Sequence, residues 1–348
     1  MKKTTTVVNN LKTSDLIVVT GAGGFIAGSL VKYFRDNGFI NIRAIDKKPL
    51  SEWYQRNPHA ESLSLDLSYR ENCKHAVDGA VEVYNLAADM GGMGFIERFR
   101  VECIRSILIN THLIDEAHKA GVERYFFASS ACAYNTEKQK DTNSRALKES
   151  DAYPAMAERG YGWEKLMSEM LCQEYWRERQ LKTAIARFHN VYGPNGTWDG
   201  GREKAPAALI RKALEAVDSG QLQLEIWGDG SQTRSFMYID DCVKGIDLIM
   251  HSDELIATPI NLGSSELVSI NGLVGIIEAI ACVKLERRYD PDAPQGVAGR
   301  NSDNTFIKQV LQWEPDTPLQ EGMKNTYAWI SQQYADRKIG VFAPGGVH

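Results

Sequence analysis

Tyr161 and Lys165 stand four residues apart in a stretch whose apolar positions recur at helical spacing, so both side chains leave one face of an expected helix. An ammonium beside a phenol lowers the phenol's pKa. The resulting phenolate takes a proton from a substrate hydroxyl while hydride leaves for an oxidised cofactor. Ser130, closing a strand-like run, is placed to share that hydrogen bond. The spacing alone proves little in a chain with 14 tyrosines, where a surface pair is the plain alternative. Cys132, two residues beyond Ser130, is placed to face the carbons beside a newly formed ketone, although a lone cysteine is by default a small buried hydrophobe. Lys204, in Gly200-Gly201-Arg202-Glu203-Lys204, exchanges protons near neutrality only if burial depresses its pKa. His189 ends an apolar strand and reads as structural.

These side chains need a crevice, and the N-terminal part of the sequence describes one. Gly21-Ala22-Gly23-Gly24-Phe25-Ile26-Ala27 separates a β-branched run from a helical pattern, so the backbone at Gly21, Gly23, Gly24, Phe25 and Ile26 is suited to a pyrophosphate. An ordinary tight turn is the alternative. Asp46, at the end of the second strand, suits an adenosine ribose diol and favours NAD over NADP. Lys47 and Lys48 follow and could embrace a 2′-phosphate instead. Asp66 and Leu67 are placed for the adenine, or for a turn.

Strand-like runs at 16–20, 41–45, 62–65, 81–85, 124–129 and 183–188 alternate with helical patterns, notably 97–119 and 157–179. That alternation predicts an α/β fold: a Rossmann-like, doubly wound parallel sheet with a smaller C-terminal substrate lobe. Residues 1–14 read as a mobile tail, 15–190 as the NAD-binding domain, and 191–340 mainly as the substrate lobe. Pro259–Leu262 is a candidate to return to the main sheet.

The order Gly21–Ala27, Asn85-Leu86-Ala87-Ala88, Ser129-Ser130 and Tyr161…Lys165 resembles the extended short-chain dehydrogenase/reductases that modify nucleotide sugars. Four further segments are similar to the branch of that family that epimerises GDP-mannose at C3′ and C5′. They are 88–95, 129–132, 200–206 and 299–304. The resemblance implies NAD as cofactor, contacted also by Ala87. It implies Ser130, Tyr161 and Lys165 as the oxidation machinery, Cys132 as the base at C3′ and C5′, and Lys204 as the acid on the opposite face. It further implies substrate contacts at Met90, Gly91, Asn190, Glu203, Arg234 and Arg300. Arg202 and Arg211 are weaker diphosphate candidates. The expected products are GDP-L-galactose and GDP-L-gulose. A 4-epimerase needs no base at position 132, a 4,6-dehydratase would normally carry Asp-Glu where Ala131-Cys132 stands, and a non-catalytic NAD sensor would not need Ser130, Tyr161 and Lys165.

Composition narrows the remaining classes. A net charge of −5 without a basic block disfavours nucleic acid as partner. No apolar stretch approaches the roughly 20 residues that span a bilayer. Six scattered cysteines offer no metal-ligand spacing, and unpaired thiols point to the cytoplasm. Ile104, Leu108 and Leu113, with Leu166, Met170 and Leu171, exceed what one helix face needs and suggest a homodimer.

Overall fold

The computed structural model describes residues 11–143 and 145–340. Its centre is β1 (Ile17–Thr20), a run in which every residue is buried. Ile17 and Val19 enter one apolar cluster and Val18 the other, as a parallel strand covered on both faces requires. With β2 (Ile42–Asp46), β3 (Glu61–Ser64), β4 (Glu82–Asn85), β5 (Arg124–Ser130) and β6 (Lys182–Phe188) it forms most of a seven-stranded sheet. After β7 (Asn190–Tyr192), β8 (Gln223–Trp227) and β9 (Thr233–Tyr238), the chain returns as β10 (Pro259–Leu262) to complete it. The order is β10-β6-β5-β4-β1-β2-β3 with every pair parallel. Strand order reverses between β1 and β4, which opens a crevice beyond their C-terminal ends.

Helices cover both faces. On one lie α1 (Phe25–Asp36) and, from later in the chain, α7 (Ile239–Met250). On the other lie α2 (Arg70–Val77), α4 (Arg100–Lys119) and α5 (Tyr161–Arg179). Short α3 (Met93–Arg98) precedes α4, and α6 (Ala205–Asp218) follows the loop that carries Lys204. A smaller sheet forms where β9 pairs with β7, β11 (Leu267–Ser269) and β13 (Gly299–Arg300). β12 (Glu286–Asp290) pairs with β8. α8 (Ile270–Ala281), α9 (Thr305–Leu311) and α10 (Leu319–Lys338) are the last helices among the described residues.

Two expected helices have different starts. The 97–119 pattern is two helices, interrupted at Phe99, whose ring stacks on Phe95 at 4.8 Å. The 157–179 helix begins only at Tyr161, because Gly160 has φ +86, outside the helical region. Residues 1–10 of the expected tail lie outside the described residues. Its last residues are tied to the sheet: the Thr13 carbonyl accepts from the Ile40 N–H at 2.9 Å, and that of Ser14 from Asn41 Nδ2 at 3.1 Å. No helix among the described residues is long and apolar enough to cross a membrane.

Candidate active site

The glycine loop lies at the crevice. Gly21 has φ +74, and a Cβ there would sit 2.9 Å from the Leu86 carbonyl oxygen at the end of β4. No side chain caps α1 at Gly24, and its first turn holds no acid, so its positive end is open to an anion. Asp46 accepts from the Gly23 N–H at 3.1 Å and the Lys48 N–H at 3.0 Å, keeping acceptor capacity on both oxygens. Lys47 is paired with Asp89 at 2.6 Å, and Lys48 Nζ donates to the Gly23 carbonyl, so neither lysine is held out for a 2′-phosphate. Asp66 accepts from the Ser68 N–H at 2.9 Å in a turn, with Leu67 buried. The Ala87 N–H donates to Thr20 Oγ1 at 3.3 Å.

Ser130, Cys132 and Tyr161 meet at the end of β5. The Ser130 hydroxyl accepts from the Cys132 N–H at 3.2 Å and hydrogen-bonds the Tyr161 side chain. Burial, with Cys132 and Glu164 adding to it, pushes the Tyr161 phenol well above its ordinary value. The sequence suggested a lowered phenol. Lys165 Nζ instead stands 5.4 Å from the centre of the Tyr161 ring and 3.7 Å from Glu164 Oε2, so desolvation dominates. Glu164 was not anticipated. Its Oε1 accepts from Asn110 Nδ2 at 2.5 Å and Ser168 Oγ at 3.0 Å, while Asn110 Oδ1 accepts from Asn85, linking Lys165 to the floor of the sheet.

Cys132 is the centre of a second, charged group. Arg300 Nη1 lies 3.6 Å from its sulfur, Arg300 Nε donates to Gln139 Oε1 at 2.7 Å, and Arg300 Nη2 pairs with Glu158. Burial raises the Cys132 thiol, and Glu158 raises it further, against Arg300, Ser130 and Lys204. Lys204, at the N-cap of α6, has its pKa lowered chiefly by burial, the direction proton exchange requires. Burial works to raise Glu158, but the Arg300 guanidinium outweighs it and holds the carboxyl below its ordinary range. Arg234 is lowered to about 10 by burial and by Arg300, and donates to the carbonyls of Thr233, Gln295, Val297 and Ala298.

The loop at Met90 and Gly91 supports this group from outside. A Cβ on Gly92 would lie 2.5 Å from the Glu203 carbonyl, and the Gly92 N–H donates to Arg202 O at 3.0 Å, so the glycines permit contact with the Lys204 loop. Arg202 Nη1 reaches Met90 O at 3.3 Å. The Glu203 side chain is taken up by the Gly201 N–H at 2.7 Å and Arg211 at 3.2 Å, and Asn190 Nδ2 donates to Ser235 O at 3.1 Å. His189 is buried with its pKa lowered to about 4 by desolvation and bonds Asn261 at 3.0 Å, as a neutral structural histidine does. Glu158 and Gln139 escaped the sequence reading. Glu158 falls inside the helical pattern that in fact starts three residues later.

The architecture is that of a nucleotide-binding α/β enzyme, and residues 17–263 match the model of the NAD dependent epimerase/dehydratase family. The chain belongs to that family as an NAD-dependent epimerase. It is 44% identical over 331 residues to GDP-mannose 3,5-epimerase of Arabidopsis thaliana, covering 94% of this chain and 84% of that one. It is 43% identical to GDP-mannose 3,5-epimerase 1 of Oryza sativa subsp. japonica, covering 92% and 83%. UDP-glucose 4-epimerase of Thermotoga maritima shares its fold, with TM-score 0.81 and 24% identity over 92% of this chain and 99% of that one. MoeE5, solved with UDP-glucose and NAD, has TM-score 0.76 and 26% identity over 92% and 100%. The residues present fit NAD: the glycine turn a Cβ would fill, the uncapped start of α1 and the Asp46 carboxylate.

Proposed function

We propose that the protein epimerises GDP-mannose at C3′ and C5′, giving GDP-L-galactose and, by inversion at C5′ alone, GDP-L-gulose. The observation that carries this reading is the buried Cys132 thiol, which lies against Ser130 and interacts with both the Tyr161 phenol and the desolvated Lys204 ammonium, so that a second acid–base group adjoins the Ser130–Tyr161 pair. A 4-epimerase needs only the latter pair. Bound NAD supplies reversible hydride acceptance from C4′. Gly21, Gly23, Gly24, Phe25, Ile26 and Ala87 would line its pyrophosphate, Asp46 its adenosine ribose, and Asp66 and Leu67 its adenine. Lys165 would hold the nicotinamide ribose.

Tyr161, oriented by Ser130, takes the proton of the 4′-hydroxyl as a phenolate, a form that burial opposes and that the positive charges of Lys165 and of oxidised NAD would favour. Oxidation there acidifies the C–H bonds at C3′ and C5′, because the resulting carbanion delocalises onto the ketone oxygen as an enolate. Cys132 removes the proton and Lys204 delivers one from the opposite face, which inverts the carbon. Met90, Gly91, Asn190, Glu203, Arg234 and Arg300 complete the substrate side, the guanidiniums supplying positive charge. Two copies pair through the exposed faces of α4 and α5. The test is NMR of the protein with GDP-mannose in deuterium oxide. Deuterium at both C3′ and C5′ is expected. Inversion at C4′ with neither carbon labelled would replace this reading with a 4-epimerase.

A further inference from the structure

Glu164 has no part in the chemistry above, yet it lies on the same turn of α5 as Tyr161 and Lys165. Glu164 and Ser168 form the neighbouring row of that helix and meet Asn110 of α4. The Glu164 side chain is fully buried, and its two oxygens have different surroundings. Oε1 takes the bonds from Asn110 and Ser168. Oε2 has no hydrogen-bond donor among the described residues and stands 3.7 Å from Lys165 Nζ, itself buried. An amide oxygen would accept from Asn110 and Ser168 as well, without the cost of burying a charge. What a carboxylate adds is a negative charge beside the ammonium.

Lysine carries a point charge on a flexible four-carbon stem, so the place of the charge depends on the groups around it. Here Nζ also lies 4.8 Å from the centre of the Phe127 ring and 5.4 Å from that of Tyr161. From Glu164 Oε1 a run of hydrogen bonds leads to the cofactor turn. Asn110 Oδ1 accepts from Asn85 Nδ2 at 2.8 Å, and Asn85 Oδ1 accepts from Thr20 Oγ1 at 3.0 Å. Thr20 Oγ1 in turn accepts from the N–H groups of Leu86 and Ala87, and Thr20 immediately precedes Gly21. Thr20, Asn85, Asn110 and Glu164 are all buried, so water does not compete for these bonds. Building on the assignment of Lys165 to the nicotinamide ribose, we propose that Glu164 is a positioning residue for the cofactor: Oε2 fixes the Lys165 ammonium, and the run from Oε1 through Asn110, Asn85 and Thr20 holds it in register with the glycine turn. Glu164 acts in this role through Lys165, without touching substrate or giving up a proton.

The test is a double-mutant cycle on NAD affinity, measured by equilibrium dialysis for wild type, Glu164→Gln, Lys165→Met and the double variant, with steady-state kinetics on GDP-mannose beside it. Glutamine keeps an oxygen for Asn110 and Ser168 but presents an amide nitrogen where Oε2 faced the ammonium. E164Q is expected to weaken NAD binding roughly 10-fold and to lower kcat by a similar factor, with KM for GDP-mannose within about twofold of wild type. In the Lys165→Met background the same change is expected to add nothing. Full additivity of the two substitutions overturns the proposal and marks a structural role, as does wild-type NAD affinity in E164Q. Wild type that binds NAD and leaves GDP-mannose unchanged overturns the substrate reading instead, and the NAD cycle then decides the role of Glu164 by itself. Circular dichroism reports folding. Should E164Q fail there, Glu164→Asp draws the charge back by one methylene. A loss of NAD affinity that disappears in the Lys165→Met background then supports the proposal, and an unchanged affinity overturns it.

Discussion

The Cys132 carbonyl oxygen shows how tightly single atoms are placed. It accepts the Glu158 N–H, and it sits so close to Gly162 that any Cβ there would overlap it. The glycine beside Tyr161 therefore lets α5 lie against the turn that carries Cys132, fixing phenol and thiol relative to one another. Gly162→Ala is expected to cost about 1–3 kcal/mol, since a carbonyl on a buried turn has nowhere to retreat. Gly275→Ala is the control: nothing lies within 4 Å of a Cβ there, and alanine within α8 gains up to about 1 kcal/mol. Urea midpoints measured at constant m separate the two. A Gly162→Ala midpoint equal to wild type would contradict this account of the contact.

At the scale of elements, α4 and α5 sort their apolar residues between two destinations. Leu113 and Leu166 are buried in the protein's own core. Ile104, Leu108 and Met170 are exposed, and Val101, Trp163 and Met167 are exposed beside them. Positions 101, 104 and 108, and 163, 167 and 170, are three or four apart, so each helix presents one continuous apolar stripe. Adjacent stripes on neighbouring helices form the kind of patch that proteins cover. The proposed occupant is a second copy, a two-fold arrangement in which α4 and α5 meet their counterparts. Met167→Glu places a charge in that contact. Sedimentation velocity is expected to show a dimer for wild type and a monomer for the variant, and a wild-type monomer at tens of micromolar, about the usual working range, would refute the pairing.

Across the whole molecule, the end of α7 is anchored to the first half of the sheet through one histidine. His251 Nε2 lies 3.0 Å from Glu82 on β4, and Nδ1 lies 2.9 Å from Asp247. Tyr84 donates to Glu82 at 2.8 Å and Tyr33 to Asp247 at 3.0 Å, so both carboxylates are themselves held. Burial alone would lower the imidazole, but the two acids outweigh it and raise its pKa from 6.5 to about 9. A group raised on folding contributes its full stability below the unfolded value and loses it as pH climbs through the folded one. The urea midpoint is thus expected to fall between pH 6.5 and about 9. His251→Gln should flatten that slope, and a variant with the wild-type slope would show that other groups titrate there.

What is local in the chain was legible without a structure. The β-branched run at 16–20, the glycines that follow it and the four-residue step from Tyr161 to Lys165 are short-range patterns, and periodicity or backbone sterics act on each where it stands. Even there a boundary moved, because the positive φ of Gly160 starts α5 at Tyr161. The Cys132 environment was not legible. Its partners come from positions 139, 158, 204 and 300, and no spacing rule connects them. Arg300 read as a substrate contact, and its further contacts with Gln139, Cys132 and Glu158 had no signal in the sequence. Residue types set which groups can carry charge or protons. Only the tertiary packing decides which are desolvated and which charge faces which, and those two quantities set the pKa values on which the proposed chemistry depends.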